Sequence, residues 1–290
     1  MTATQVFRSN ALEVVVLPES GARVHSIVAF GHPVTHTPTD VGQHRHAPFH
    51  WGGYHMVPWC NRLVPGPVEV LGRTVDLPPN FADGTAIHGL HVLTEWHADG
   101  DAGTLVARHH ADDRWPWAYT AAVTYRVEGP AFTVAYEVRN DDAAPMPAGA
   151  GFHPWFRVPS RMRIPSATVF TDNTATPAEP EPVRGPYDLR EPAAIQPGVD
   201  ACWPGLERPA IEVWWDELGV RLDYSARRPD GAPVIAVAAH IADVGAAAIE
   251  LQTHAPQGIR RLLGREPWPL DVVAPGRSLQ LELTLTFARF

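Results

Sequence analysis

Glu250 stands in Ala246-Ala247-Ala248-Ile249-Glu250-Leu251-Gln252-Thr253, a carboxylate inside an otherwise apolar run. A carboxyl group in apolar surroundings holds its proton more tightly, which suits it to proton transfer near neutral pH. Gly149-Ala150-Gly151-Phe152-His153-Pro154-Trp155-Phe156 embeds a histidine among glycines and aromatics, and Ala86-Ile87-His88-Gly89-Leu90 sets another before a glycine. Pro58-Trp59-Cys60-Asn61-Arg62-Leu63-Val64-Pro65-Gly66 brings Asn61 and Arg62 beside aromatic and turn-forming residues. A carboxylate and an imidazole that meet can take one proton and give another in the same step. Each residue also has a plainer reading. Arg62 could end a loop at the surface, where most arginines lie. His88 and His153 belong to a chain with 15 histidines, most of which would be structural or superficial. In a strand Glu250 points away from Ile249 and Leu251, toward either solvent or a cleft.

Aromatic side chains crowd the same stretches. Trp51, Trp59, Trp115, Trp117, Trp155 and Trp203 lie in or near polar clusters. Sugar rings have apolar C–H faces and polar edges, so their sites combine aromatic platforms with His, Arg, Asn, Asp and Glu. About half of these tryptophans are expected to be core residues instead. Two other groupings suggest other chemistry. His44, His46, His50 and His55, with His109-His110-Ala111-Asp112, could ligate a metal in a cupin-like enzyme. A solvated histidine-rich loop is the simpler reading, because no H-x-H plus carboxylate pattern lies on one strand. Arg260-Arg261 and Arg265 could cradle a phosphate.

Strands must position these groups. Leu279, Leu281, Leu283, Leu285 and Phe287 alternate with Gln280, Glu282, Thr284 and Thr286, so one face meets a core and the other polar surroundings. Residues 118–126 and 131–139 read as a hairpin broken at Glu128-Gly129-Pro130, and 210–215 and 219–224 as another around Asp216-Glu217-Leu218. Residues 12–17, 23–30, 104–108, 233–239 and 246–252 are further strands. No segment carries a sustained 3.6-residue apolar stripe, and six prolines between 173 and 198 mark an irregular crossing loop. Many short strands between turns predict an all-β sandwich or barrel.

Composition narrows the chemistry. The 290 residues are 45% hydrophobic with a net charge of −9, enough for a core and unfavourable for binding nucleic acid or anionic membranes. Length alone allows two domains or one large β domain; strand patterns on both sides of the 173–198 loop favour one domain over 1–290. All 23 basic residues are arginine, which excludes Schiff-base and PLP lysines and a P-loop lysine. Cys60 and Cys202 form no C-x-x-C pair and predict neither a zinc site nor a disulfide scaffold. No signal peptide or apolar run of about 18 residues is visible, so a cytoplasmic protein is expected.

The order and wording of the motifs resemble the aldose 1-epimerase (galactose mutarotase-like) family from about residue 50 to the C-terminus. The resemblance rests on the 58–66 stretch, Ile87-His88-Gly89-Leu90 with Trp96, Arg114-Trp115-Pro116-Trp117, and Asn140 ahead of 147–156. It continues through Val199-Asp200-Ala201-Cys202-Trp203, Ile249-Glu250-Leu251-Gln252-Thr253 and Ala274-Pro275-Gly276. The resemblance implies a large antiparallel β-sandwich with a concave sugar-binding face. It also implies exchange between the α and β anomers of a free monosaccharide, without cofactor or metal. By position, Glu250 resembles the general base and His153 the general acid. Arg62, His88 and Asp200 resemble substrate-positioning residues, with Asn61 supporting the arginine loop. Leu90 stands where many members have a second glycine, and Trp155 where tyrosine is commoner. A binding module that kept the fold and lost catalysis is the alternative.

Overall fold

Alternating apolar and polar residues build two large antiparallel sheets in the computed structural model, which describes residues 4–42, 46–100, 103–172, 179–207, 210–227, 235–241 and 243–290. The nine-stranded sheet runs Gln5–Arg8, Leu12–Leu17, Arg23–Ala29, Gly53–Met56, Gly151–Arg157, Ala246–Gln252, Ile235–Ile241, Asp200–Trp203, with His32–Pro33 pairing off Arg23–Ala29. The eight-stranded sheet runs His97–Ala98, Thr104–His109, Tyr119–Glu128, Ala131–Asn140, Ser278–Arg289, Leu218–Arg227, Ile211–Trp214, Arg161–Arg163. The expected β-sandwich is therefore the observed fold.

The C-terminal strand shows how the pattern works. Its leucines are buried and the residues between them half-buried, because one face meets the other sheet. The 119–140 hairpin closes with Glu128 opposite Ala131, and the 211–227 hairpin pairs Ile211 with Leu222. The expected strand at 233–239 is observed as Ile235–Ile241; its first two residues lie outside the described part, as do residues 173–178 of the proline-rich crossing.

Ala246–Gln252 and Ile235–Ile241 behave differently. Ala246–Gln252 is buried at every position, and Ile235–Ile241 at all but its last. Both faces of this sheet are covered, which is why these runs read as continuous apolar sequence rather than alternation. One face holds Ile249, Leu251, Phe152 and Phe156 in the core between the sheets. The other holds Tyr54, Trp155, Ala239 and Ala248 in a separate cluster.

Five strands of this sheet are not evident from sequence: Gln5–Arg8, His32–Pro33, Gly53–Met56, Gly151–Arg157 and Asp200–Trp203. All but Gly151–Arg157 are short, and Pro154 interrupts that one. Pro154 has no N–H to give to a ladder, yet it sits in a central strand opposite Gly53. The short helix Gly258–Gly264 is also unanticipated; seven residues are too few to display a helical stripe.

Polar groups are bonded where the core traps them. The buried Asn140 donates from Nδ2 to the carbonyls of Ala144 and Val273, each at 2.8 Å, and its Oδ1 accepts from the Asp142 amide at 2.9 Å. It thereby clips the hairpin's end to the 273 segment. Asn140→Ala strands those partners and is expected to cost about 2–3 kcal/mol, read as a lowered urea midpoint. An unchanged midpoint would show that water replaces the amide.

Candidate active site

Adjacent strands bring the chemistry together. Phe152 pairs with Leu251 and Trp155 with Ala248, a register that sets His153 across from Glu250. His153 pairs with Tyr54 on its other side, and Glu250 with Val237. One cross-strand row thus reads Tyr54, His153, Glu250, Val237. The next row on the same face runs Trp155, Ala248, Ala239, Asp200. These rows form the floor of a cleft of about 480 Å³, open solvent at its mouth included.

His153 Nε2 lies 3.2 Å from Glu250 Oε1, and both side chains are nearly inaccessible, at 6% and 3% exposed. Glu250 Oε2 is buried without a hydrogen-bond partner among the described residues. Burial pushes the Glu250 carboxyl well above the ordinary carboxylate range, reinforced by the charge of Asp200 and opposed by Arg62. Burial likewise holds the His153 imidazolium well below its usual value, with the Arg23, His50 and Arg62 charges in the same direction. Both shifts follow from the cost of charge in a dry site.

Loops supply the rest of the wall. Asn61 and His88 both adopt left-handed backbone, with φ of 55° and 62°. The Asn61 amide N–H donates to His88 Nδ1 at 3.2 Å, which makes Nδ1 the acceptor and leaves the proton on Nε2. Asn61 Oδ1 accepts from the Arg62 amide at 2.8 Å. The Arg62 guanidinium is fixed by its Nε bond to Asp83 at 2.7 Å and by Asp200 at 3.6 Å, and it lies over the Phe81 ring. Asp83 is itself held by the Thr85 amide and hydroxyl. A guanidinium has five N–H donors, so two carboxylates leave some for a ligand.

The structure brings Glu250, His153, Arg62, His88, Asp200 and Asn61 to one cleft. Glu250 faces that cleft and not solvent. Trp155 lines it too, with its indole N–H donating to the Phe49 carbonyl at 2.6 Å. Trp59, Trp115, Trp117 and Trp203 are instead core residues, more than half of the candidates. Trp59 and Trp115 stack on each other at 5.2 Å.

The other groupings do not assemble at the cleft. His55 sits between the sheets, bonded to Tyr136 and Tyr125 at 2.6 Å, and burial lowers its pKa to about 3. His50 lines the cleft. His109 bonds the Trp115 carbonyl, and His44 lies outside the described residues. Among the described residues no three His, Cys, Asp or Glu side chains gather as metal ligands. Arg261 is buried under the carbonyls of Pro256 and Pro267, and Arg260 pairs with Glu266. Neither these two nor Arg265 lines the cleft, so the alternative of a phosphate cradle there is not supported by these arginines.

Sequence reasoning missed Tyr54, Phe49, Phe81 and Asp83. Tyr54 stacks on His153 at 4.3 Å, and Phe49 meets Phe81 edge to face. Tyr54 lies in a run buried throughout, whose sequence shows no alternation to single it out. Asp83 gave no signal, since an acidic loop residue before glycine reads as a turn.

The sequence matches the family described as aldose 1-epimerase over residues 5–285. The chain belongs to the aldose 1-epimerase family. A galactose mutarotase-like protein from Clostridium acetobutylicum shares the fold with a TM-score of 0.82 at 17% identity, over 98% of this chain and 95% of that one. A GalM/aldose epimerase homologue from Caenorhabditis elegans does so with a TM-score of 0.79 at 14% identity, over 99% of each chain. At such identities these likenesses establish the fold alone. The uncharacterized protein YphB of Escherichia coli K12 is 30% identical over 116 residues, 38% of this chain and 39% of that relative's length. The Leu90 amide bonds the Val57 carbonyl at 2.9 Å, which ties the His88 loop to the 57–63 segment of this aldose 1-epimerase family member. Among the described residues no helix is long and apolar enough to cross a membrane.

Proposed function

We propose that this member of the family interconverts the α and β anomers of a free, uncharged aldose. The observation that carries the reading is the buried Glu250–His153 pair, 3.2 Å apart on the cleft floor. In ring opening, Glu250 takes the proton of the C1 hydroxyl and His153 gives a proton to the ring oxygen. The bond between C1 and the ring oxygen breaks as the C1 carbonyl forms. Rotation about C1–C2 presents the other carbonyl face, and reclosure returns both protons. Arg62, His88 through its Nε2–H, and Asp200 hold the remaining oxygens while that one bond turns.

The closed sugar needs Glu250 ionised and His153 protonated; the open chain leaves both neutral. Burial favours the neutral pair, so reclosure returns one proton from Glu250 to the C1 oxygen and one from the ring-closing hydroxyl to His153.

Charge in the cleft supports a neutral substrate. Arg62 is its cation and already faces Asp83 and Asp200, with Glu250 behind them. A sugar phosphate would add a dianion beside three carboxyl groups.

Polarimetry on freshly dissolved α-hexoses and pentoses tests the activity; acceleration of anomer exchange is expected. No acceleration with any common sugar, together with retained sugar binding, would point to a binding module instead. Rate against pH gives a second check. The working form of the pair carries one proton, so kcat/KM is expected to be bell-shaped. Its acid limb lies below the ordinary histidine value, because burial lowers His153. Its alkaline limb lies above the ordinary carboxylate value, because burial raises Glu250. A rate already falling above about pH 5 would contradict a raised Glu250.

A further inference from the structure

Beside the cleft floor, next to Tyr54 at the end of the Tyr54–His153–Glu250 row, lies a charged group that the proposed chemistry does not use. Arg23 is fully buried, an expensive place for a cation. Its Nη1 donates to the Trp51 carbonyl at 2.8 Å and its Nη2 to the Pro48 carbonyl at 2.6 Å. Its guanidinium carbon stands 5.0 Å from the centre of the Tyr54 ring. The Tyr54 ring in turn stacks on the His153 imidazole, 4.3 Å away and tilted by 24°. Arg23 bonds carbonyls and faces a ring, with no carboxylate partner among the described residues. Its positive charge is therefore not cancelled locally, and only one aromatic ring separates it from the imidazole.

We propose that Arg23 is a positioning residue for His153, a buried cation that fixes the imidazole plane through Tyr54 and makes the imidazolium a stronger acid. This rests on the reading of His153 as the proton donor to the ring oxygen. The groups facing His153 are Tyr54 on one flat face, Glu250 at Nε2, His88 edge-on at 4.9 Å and Trp155 at 5.3 Å. His50 and Arg62 act on it as further charges. Of the two arginines, Arg62 faces carboxylates that offset it, and Arg23 does not. Arg23 also anchors the 48–51 segment, whose Phe49 and His50 line the cleft.

The test is a titration of His153 followed by imidazole NMR in the intact protein, with the acid limb of kcat/KM and thermal melting alongside. In Arg23→Met the His153 titration and the acid limb are expected to move up by about one pH unit, the scale of a unit charge at this range in a protein interior. Arg23→Lys keeps the charge and is expected to hold both near the wild-type position. Equal melting losses in the two variants, with His153 titrating as in wild type, would overturn the proposal and leave Arg23 a structural anchor. If Arg23→Met does not fold, Tyr54→Leu substitutes. Loss of the stacked ring is expected to lower kcat several-fold with KM little changed, and an unchanged kcat would overturn the proposal equally. The NMR titration needs no turnover, so a wild-type protein without mutarotase activity would refute the proposed function while leaving the Arg23 effect measurable.

Discussion

Glu250→Gln is expected to slow anomer exchange by roughly 10²–10⁴-fold, the range of a single acid or base catalyst, while monosaccharide binding measured by calorimetry stays close to wild type. The amide matches the carboxyl in shape and cannot take the C1 hydroxyl proton. The same substitution is expected to raise the melting temperature at neutral pH. The folded-state pKa of Glu250 is raised by burial. Its favourable contribution is therefore complete below the unfolded carboxylate value and is lost as pH climbs through the folded one. Glutamine carries no such loss. The gap in melting temperature between variant and wild type should be near zero below about pH 4.5 and open toward pH 8. On the proposed reading, such a loss of stability is what a site selected for reactivity costs. His153→Asn should slow exchange similarly. Full turnover in Glu250→Gln would remove Glu250 as the base.

Gly89→Ala is expected to be the most disruptive single methyl group near the site. Gly89 has φ of +81°, and a Cβ there would lie 2.0 Å from the Val57 carbonyl oxygen and 2.9 Å from the Val57 nitrogen. Backbone cannot yield as a side-chain tip can, so the two loops must separate. His88 precedes this residue and takes its orientation from the Asn61 amide, so the imidazole moves with the loop. A loss of about 3 kcal/mol or more is expected from combined strain and packing, with a raised KM in whatever protein folds. Gly31→Ala is the control. Gly31 has φ of +87° and nothing within 4 Å of its added Cβ, so only the backbone penalty of about 1 kcal/mol applies. Equal melting temperatures for the two variants would show that the Val57 contact yields freely.

Much of the fold is legible in the sequence because one-sided strands announce themselves. The 119–140 hairpin and the C-terminal strand alternate cleanly, since one face of each meets the inter-sheet core. The strands that carry the site are harder to read for a physical reason. Gly151–Arg157 contains a proline, and Ala246–Gln252 is buried on both faces, so neither shows alternation. The six candidate site residues were visible through their unusual company and the family resemblance. Tyr54, Asp83 and Arg23 were not. Each acts by touching another site residue across the fold, and nothing local in the sequence encodes that touch. The tryptophans show the converse: proximity to polar residues along the chain does not set proximity in space, and Trp59, Trp115, Trp117 and Trp203 lie in the core, one more than the half expected there.

The placement of His153 and Glu250 on neighbouring strands has an evolutionary corollary. Their spacing is a property of the sheet's hydrogen-bonded ladder, which cannot drift without unmaking the sandwich. Arg62, His88, Phe81 and Asp83 sit on connecting segments or short strands at the rim, which tolerate exchange far better. On the proposed reading, reaction type and choice of sugar would thus be inherited on separate parts of the chain, and descendants would acquire new preferences by rewriting the rim while the paired strands pass down unaltered.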